Sequence, residues 1–157
     1  MDFETIKWNV LADGRIGRSP SAAELAAQAA CMDLLHSSFA VIDFGSATKS
    51  VPLYAQGASS LIDGNANPYA TIRERYAARE ADKARRTRHL VTNFAFRMTD
   101  EHTAWSLSLV TIFLEDDTKK PGITPLTVAD CGDQYTRTAD GWRIAFRYLQ
   151  PVAGAPR

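Results

Sequence analysis

The stretch TRHLVTN at positions 87–93 sets one imidazole, His89, in a run that otherwise reads as a half-buried strand. Histidine is the side chain whose ordinary pKa lies closest to neutrality. A positioned imidazole can therefore take a proton and return it without any cofactor. Strict alternation puts His89, Val91 and Asn93 on one face of the strand, and Leu90, Phe94, Phe96 and Met98 on the other. Asn93 then shares the histidine's side and is a candidate for holding a substrate oxygen. The competing reading of His89 is a core imidazole that merely satisfies its own hydrogen bonds.

The elements around it fall in two groups. SPSAAELAAQAACMDLLHSSFAVID opens with a capping box, Ser21 and Glu24, and predicts a long helix with Leu25, Met32, Leu35, Phe39 and Ile42 at helical spacing, stopped by Gly45. A short second helix is expected over 46–55, limited by Pro52, then a short strand at SSLI. Asn67-Pro68 predicts an N-cap and first helical position for a third helix ending near Lys83. After Thr87 the period changes to two. Strands are expected at 87–98, at AWSLSLVTIFLE and at TPLTVADCGDQYTRT, the last bent at Gly132, and Asp140-Gly141 turns into WRIAFRY. The loop DDTKKPGIT separates two of them, with Asp116-Asp117 at its start. Helices first and long antiparallel strands last predict an α+β fold, with a strongly curved sheet wrapped on one long helix to make a cone. Residues 1–20 are expected to be an N-terminal arm, holding an edge strand or packing on a partner chain, with a turn at Asp13-Gly14. Residues 21–150 form the domain and 151–157 a loose tail.

Composition narrows the function. With 157 residues the chain suits one domain, 45% apolar and 23% charged, large enough to bury about 70% of its unfolded surface. Its 18 basic and 18 acidic residues leave no net charge, so no global field draws it to nucleic acid or anionic lipid. No apolar run approaches a membrane span. Cys31 and Cys131 stand far apart without metal-ligand spacing, so no zinc or other metal site is expected. The N-terminus MDFETIKWNV lacks the pattern of a secretion signal, and a cytoplasmic location is expected. RERYAAREADKARRTR interleaves acids with its bases and reads as a solvated helix face with an Asp82–Arg86 pair at i,i+4.

Four local patterns, in this order, carry a resemblance: VID at 41–43, LYAQGA at 53–58, TRHLVTN at 87–93 and DGWRI at 140–144. Together they resemble the SnoaL-like branch of the nuclear transport factor 2-like superfamily over about Ala22 to Tyr148. That family includes scytalone dehydratase-like, bile-acid dehydratase-like and dehydrochlorinase-like enzymes, as well as the β-subunits of ring-hydroxylating dioxygenases. The resemblance implies that Asp43 and His89 meet inside the cone as a dyad. The carboxylate would fix the imidazole tautomer, leaving the other nitrogen as a directed base. It further implies a cofactor-independent lyase or isomerase acting on a small, largely apolar cyclic substrate. The alternative is a non-catalytic ligand-binding module or accessory subunit.

A pocket in such a cone is expected to be lined by Trp105, Leu107, Leu109, Phe113, Trp142, Ile144 and Phe146, with Phe39 and Tyr54 contributing. His36 lies two helical turns before Asp43, on nearly the same helix face, and is a candidate second acid. Where several family dehydratases carry a tyrosine, this chain has Ser38; where the scytalone-type enzymes carry a second histidine, it has Phe113. With His89 facing inward, the stripe Phe94, Phe96 and Met98 would lie outside and need covering, which predicts a homo-oligomer, trimer or dimer.

Overall fold

The computed structural model describes residues 1–12, 18–116 and 124–154. The elements run α1 (Phe3–Leu11), α2 (Ala22–Asp43), a 3₁₀ turn (Ala47–Leu53), β1 (Tyr54–Ile62), β2 (Asn65–Pro68), α3 (Tyr69–Ala81), β3 (Arg85–Met98), β4 (Thr103–Asp116), β5 (Thr124–Thr138) and β6 (Gly141–Gly154). One six-stranded sheet has the order β2-β1-β6-β5-β4-β3. Among the described residues only the β1–β6 pair is parallel. The fold is α+β. The turn at Asp13-Gly14, most of the β4–β5 loop and the last three residues lie outside the described residues.

Helix α2 starts on its capping box: the Ser21 hydroxyl accepts from Glu24 N–H, and the Glu24 carboxylate accepts from Ser21 N–H. Its buried stripe is Ala27, Cys31, Leu34, Leu35, Ser38 and Phe39, while Leu25 and Met32, expected on that stripe, face solvent. By length and composition α2 could cross a membrane. In this fold it is the helix on which the sheet closes, with Leu35 and Phe39 packed on Val110, Ile112 and Cys131.

The first residues correct the expected edge strand. They form α1, capped by Asp2, whose carboxylate accepts from Thr5 N–H. Ile6 and Val10 pack on Trp105 and Phe146 of the chain's own sheet. Gly132 permits that approach: a Cβ there would stand 3.0 Å from Ile6 Cγ2. Its role is close packing, where the sequence suggested a bend. A hairpin went unexpected too. Asp63 and Gly64, both at positive φ (52° and 75°), turn β1 into β2. Helix α3 consequently begins one residue later than expected, capped by Pro68, while the Asn67 side chain is held by Asn65 O and Arg75.

The sheet has an inner face under α2 and an outer face crossed by α1. Two irregularities change which residues face inward. On β3 an extra residue lies between the pairs Thr92–Leu109 and Ala95–Leu107, with Asn93 at φ 55°. Thr87, His89 and Val91 face inward before it, and Phe94, Phe96 and Met98 after it, against the core clusters. The stripe expected outside therefore lies inside. On β6 an extra residue lies between the pairs Ile144–Tyr135 and Phe146–Gln134. It sends Phe146 outward to α1 and brings Arg147 and Leu149 inward.

Candidate functional site

A cavity of about 400 Å³ opens between the end of α2, α3, β1, the start of β3 and the middle of β6. His89 stands on its wall. The β3 register places it opposite Ile112, and Phe39 on α2 lies against its ring, with 4.6 Å between centroids and 20° between planes.

Asp43, the last residue of α2, meets it from the side. Its Oδ1 is 2.6 Å from His89 Nδ1, its Oδ2 accepts from His89 main-chain N–H at 2.8 Å, and Thr87 Oγ1 donates to Oδ1 at 3.1 Å. The two side chains are only 8% (His89) and 9% (Asp43) exposed. Burial alone would raise the Asp43 pKa. Hydrogen bonds and charge from His89 and the Thr87 hydroxyl outweigh it, and the carboxyl is held below its ordinary value. Arg88 Nη1 donates to Asp43 O at 2.8 Å and closes the helix end. With Nδ1 on the carboxylate, Nε2 is the nitrogen left for a ligand.

Arg147 forms the cavity floor. It is 1% exposed and bidentate to Asp133, Nε to Oδ1 at 2.8 Å and Nη2 to Oδ2 at 2.7 Å, while Nη1 donates to Ser38 Oγ at 2.8 Å. Burial by itself would lower its pKa, but the Asp133 carboxylate more than reverses that, so the guanidinium stays charged. It lies 4.9 Å from the Phe39 ring centroid and 5.8 Å from that of Tyr54. Ser38 is thus a partner of this arginine. Tyr54 OH and Tyr76 OH stand 2.9 Å apart on the same cavity, and burial pushes the Tyr54 phenol well above its usual range.

Of the residues expected around the site, the cavity gathers His89, Phe39 and Tyr54, with Asp43 behind His89. His36 is exposed: the buried stripe runs through Leu35 and Phe39, and position 36 is turned about 100° from 35. Asn93 is exposed on the β3 bulge. Trp105 and Phe146 are on the outer face with α1. Leu109 and Phe113 share the outward parity of Trp105, because the inward residues of β4 are Ala104, Ser106, Ser108, Val110 and Ile112. Trp142 is on the inner face but packs in the core with Ala27, Cys31 and Leu34, away from the cavity. Sequence reasoning missed Thr87, Arg147, Tyr76 and three arginines from the run read as a solvated face, Arg75, Arg79 and Arg85. Helix α3 ends at Ala81, so Asp82 and Arg86 are not a helical pair. Among the described residues no group of three His, Cys, Asp or Glu side chains could hold a metal ion.

Residues 23–148 match the SnoaL-like domain. The chain belongs to the SnoaL-like family. No curated protein matches it. Among solved structures, a Novosphingobium aromaticivorans protein provisionally described as a scytalone dehydratase is 15% identical over 85% of this chain and 98% of its own, with a TM-score of 0.72. A Mycobacterium tuberculosis protein of unknown function, Rv3472, is 19% identical over 86% and 77%, with a TM-score of 0.73. A Catenulispora acidiphila protein solved in complex with S-DNPA is 14% identical over 81% and 94%, with a TM-score of 0.68. At such identities the likeness is one of fold, and this SnoaL-like chain must be read from its own residues.

Proposed function

We propose that this SnoaL-like protein is a cofactor-independent lyase of the dehydratase type, or an isomerase, acting on a small and largely apolar cyclic carbonyl compound. The carrying observation is the 2.6 Å contact between Asp43 Oδ1 and His89 Nδ1 at the wall of the cavity. Asp43 orients the ring and stabilises the imidazolium, and His89 Nε2 removes a proton next to the substrate carbonyl. In elimination, the imidazolium returns that proton to the departing β-hydroxyl, which leaves as water. In isomerisation it returns the proton to another carbon. Either route is proton-neutral, so neither needs a second histidine. The Tyr54–Tyr76 hydroxyl pair, with Tyr54 held protonated, supplies a donor to the developing enolate oxygen. A cytoplasmic location, in keeping with two free buried thiols, belongs to the same reading.

The test is turnover of a panel of cyclic β-hydroxy carbonyl compounds and their unsaturated isomers by wild type, His89→Ala and Asp43→Asn. Both variants should lose about 10²–10⁴-fold in kcat/KM. Equal rates for all three proteins would move the chain to the alternative, a ligand-binding or accessory module. A homo-oligomer, trimer or dimer, stays within the proposal on a different surface from the one first expected. Trp8, Leu11 and Leu90 are exposed apolar side chains, whereas Phe94, Phe96 and Met98 are turned inward. Light scattering of wild type and Trp8→Glu decides it.

A further inference from the structure

The cavity that holds His89 is not uniformly apolar. Its inner end is made by Phe39, Ile72, Ile112 and Leu149, but the α3 side of its wall carries Arg75 and Arg79, and Arg85 opens β3 beside them. Among the described residues none of the three is ion-paired to a carboxylate within 4.0 Å. Arg75 Nη1 donates to Asn67 Oδ1 at 3.2 Å. Arg79 donates to Asp82 O at 3.3 Å and, through Nη2, to Thr87 Oγ1 at 3.3 Å. Two carboxylates share the wall. Asp82 accepts the main-chain N–H of Arg85 at 3.3 Å, and Asp63 is already engaged. Three guanidinium groups stand beside two carboxylates on this wall, while Arg147 is paired with Asp133 and the Asp43 carboxylate is bonded to His89.

Arg79 is the best placed of the three. It is half-buried, with its neighbours Arg85 and Asp82 pulling in opposite senses, and burial the foremost influence lowering its pKa. Its guanidinium touches the hydroxyl of Thr87, which in turn touches Asp43. Thr87 and His89 project from the same face of β3 two residues apart, about 7 Å along the strand. An anion on Arg79 is thereby held at a fixed reach from the base.

We infer, resting on the reading above, that the substrate's apolar body ends in a carboxylate, gripped by Arg79 with Arg75 and Arg85 at the rim, on the same cavity wall as the base His89. A planar carboxylate matches the fork of one guanidinium.

The experiment is a binding titration, so that it does not depend on turnover. 2-Naphthoate and its neutral counterpart 2-naphthamide are titrated into the full chain by isothermal calorimetry, for wild type, Arg79→Gln, Arg79→Lys, the double variant Arg75→Gln/Arg85→Gln, and His89→Gln. Wild type should prefer the carboxylate by about tenfold or more, and rising salt should shrink that preference. Arg79→Gln should erase it while amide binding stays within about twofold, Arg79→Lys should keep part of it, and the rim double variant should reduce it. His89→Gln should retain it in full, and a wild type that turns over no compound of the panel yet keeps the preference supports this inference and sinks only the catalytic reading. Equal binding of both compounds by wild type, a preference untouched in Arg79→Gln, or no saturation by either compound up to its solubility limit overturns it. Should Arg79→Gln fail to fold, Arg79→Lys and the rim variant decide: an undiminished preference in both is also a refutation.

Discussion

The ring of Phe39 is stacked on the imidazole of His89, with 4.6 Å between centroids and 20° between planes. Asp43 fixes the imidazole at its edge, and Phe39 fixes its plane. Because Arg147 lies 4.9 Å from the same Phe39 ring, the buried cation braces the stack from the cavity floor. Phe39→Leu keeps an apolar side chain but loses the plane. We expect kcat to fall roughly tenfold or more through misorientation of the base, with KM changing about twofold at most. Stability should drop by about 1–3 kcal/mol. Steady-state kinetics beside urea unfolding checks both, and an unchanged kcat would remove Phe39 from the machinery.

The Asp43 carboxyl is held below its ordinary value in the folded chain, and unfolding returns it to that value. A depressed folded-state pKa contributes stability that is complete above the unfolded value, and that stability is lost as pH falls through the folded one. Wild type should therefore exceed Asp43→Asn by about 1–3 kcal/mol near neutrality, and the gap should narrow below about pH 4. Urea midpoints measured across a pH series read it directly. A gap that stays constant into acid would mean that the carboxylate charge contributes nothing.

Arg147 and Asp133 are buried together, at 1% and 0% side-chain exposure, and each is the other's compensation. Arg147→Met alone leaves a carboxylate without its cation and should cost about 3–5 kcal/mol. Arg147→Met with Asp133→Leu should recover much of that loss, because desolvation of both charges is removed. The same double variant should still lose substrate affinity, since the cavity floor is gone. A double-mutant cycle in chemical denaturation, with ligand titration alongside, separates the two effects.

Gly132 faces Ile6 so closely that an added Cβ would meet two of its side-chain carbons at 3.0 and 3.1 Å. Gly132→Ala should destabilise by about 1–3 kcal/mol by pushing α1 off the outer face. Ile6→Ala in the same chain should relieve the clash, so that the double variant loses less than the sum of the two single ones. Thermal unfolding of the four proteins checks it. Strict additivity would mean that α1 does not press on Gly132.

The large elements were legible because each announces itself locally: the capping box of α2, the period of two after Thr87, and the Asp140-Gly141 turn. The facing of the side chains was not, because alternation counts residues and cannot see a bulge. One added residue near Asn93 and another near Ala145 exchange the faces of everything that follows on β3 and β6. That is how Phe146 left the expected pocket and Arg147 entered it. On β4 both faces are covered, by α1 and by α2. The bulky residues Trp105 and Leu107 went to the face of the small helix, and Ala104, Ser106 and Ser108 to the face that α2 approaches. Size alone pointed to the wrong side. Arg79 was hidden in a run whose interleaved acids looked solvated, although one turn of α3 points it at Thr87.

Asn93 is the hinge of that pattern on β3, an exposed residue in the left-handed region at φ 55°. Asparagine tolerates this conformation, glycine adopts it without a Cβ, and a β-branched residue is strained there. Asn93→Gly should therefore be within about 0.5 kcal/mol of wild type, and Asn93→Val should cost about 1–3 kcal/mol. Deleting Asn93 asks a harder question. Without the extra residue, regular alternation through the pair Thr92–Leu109 sets Phe94 opposite Ser108 and leaves Ala95 opposite Leu107, so Phe94, Phe96 and Met98 keep facing inward. The deletion should therefore keep a sharp transition and bind no hydrophobic dye, as both point variants do. Circular dichroism melts and dye fluorescence on the three proteins measure this. A deletion variant that loses cooperative unfolding would show that the bulge does more than set the facing of β3.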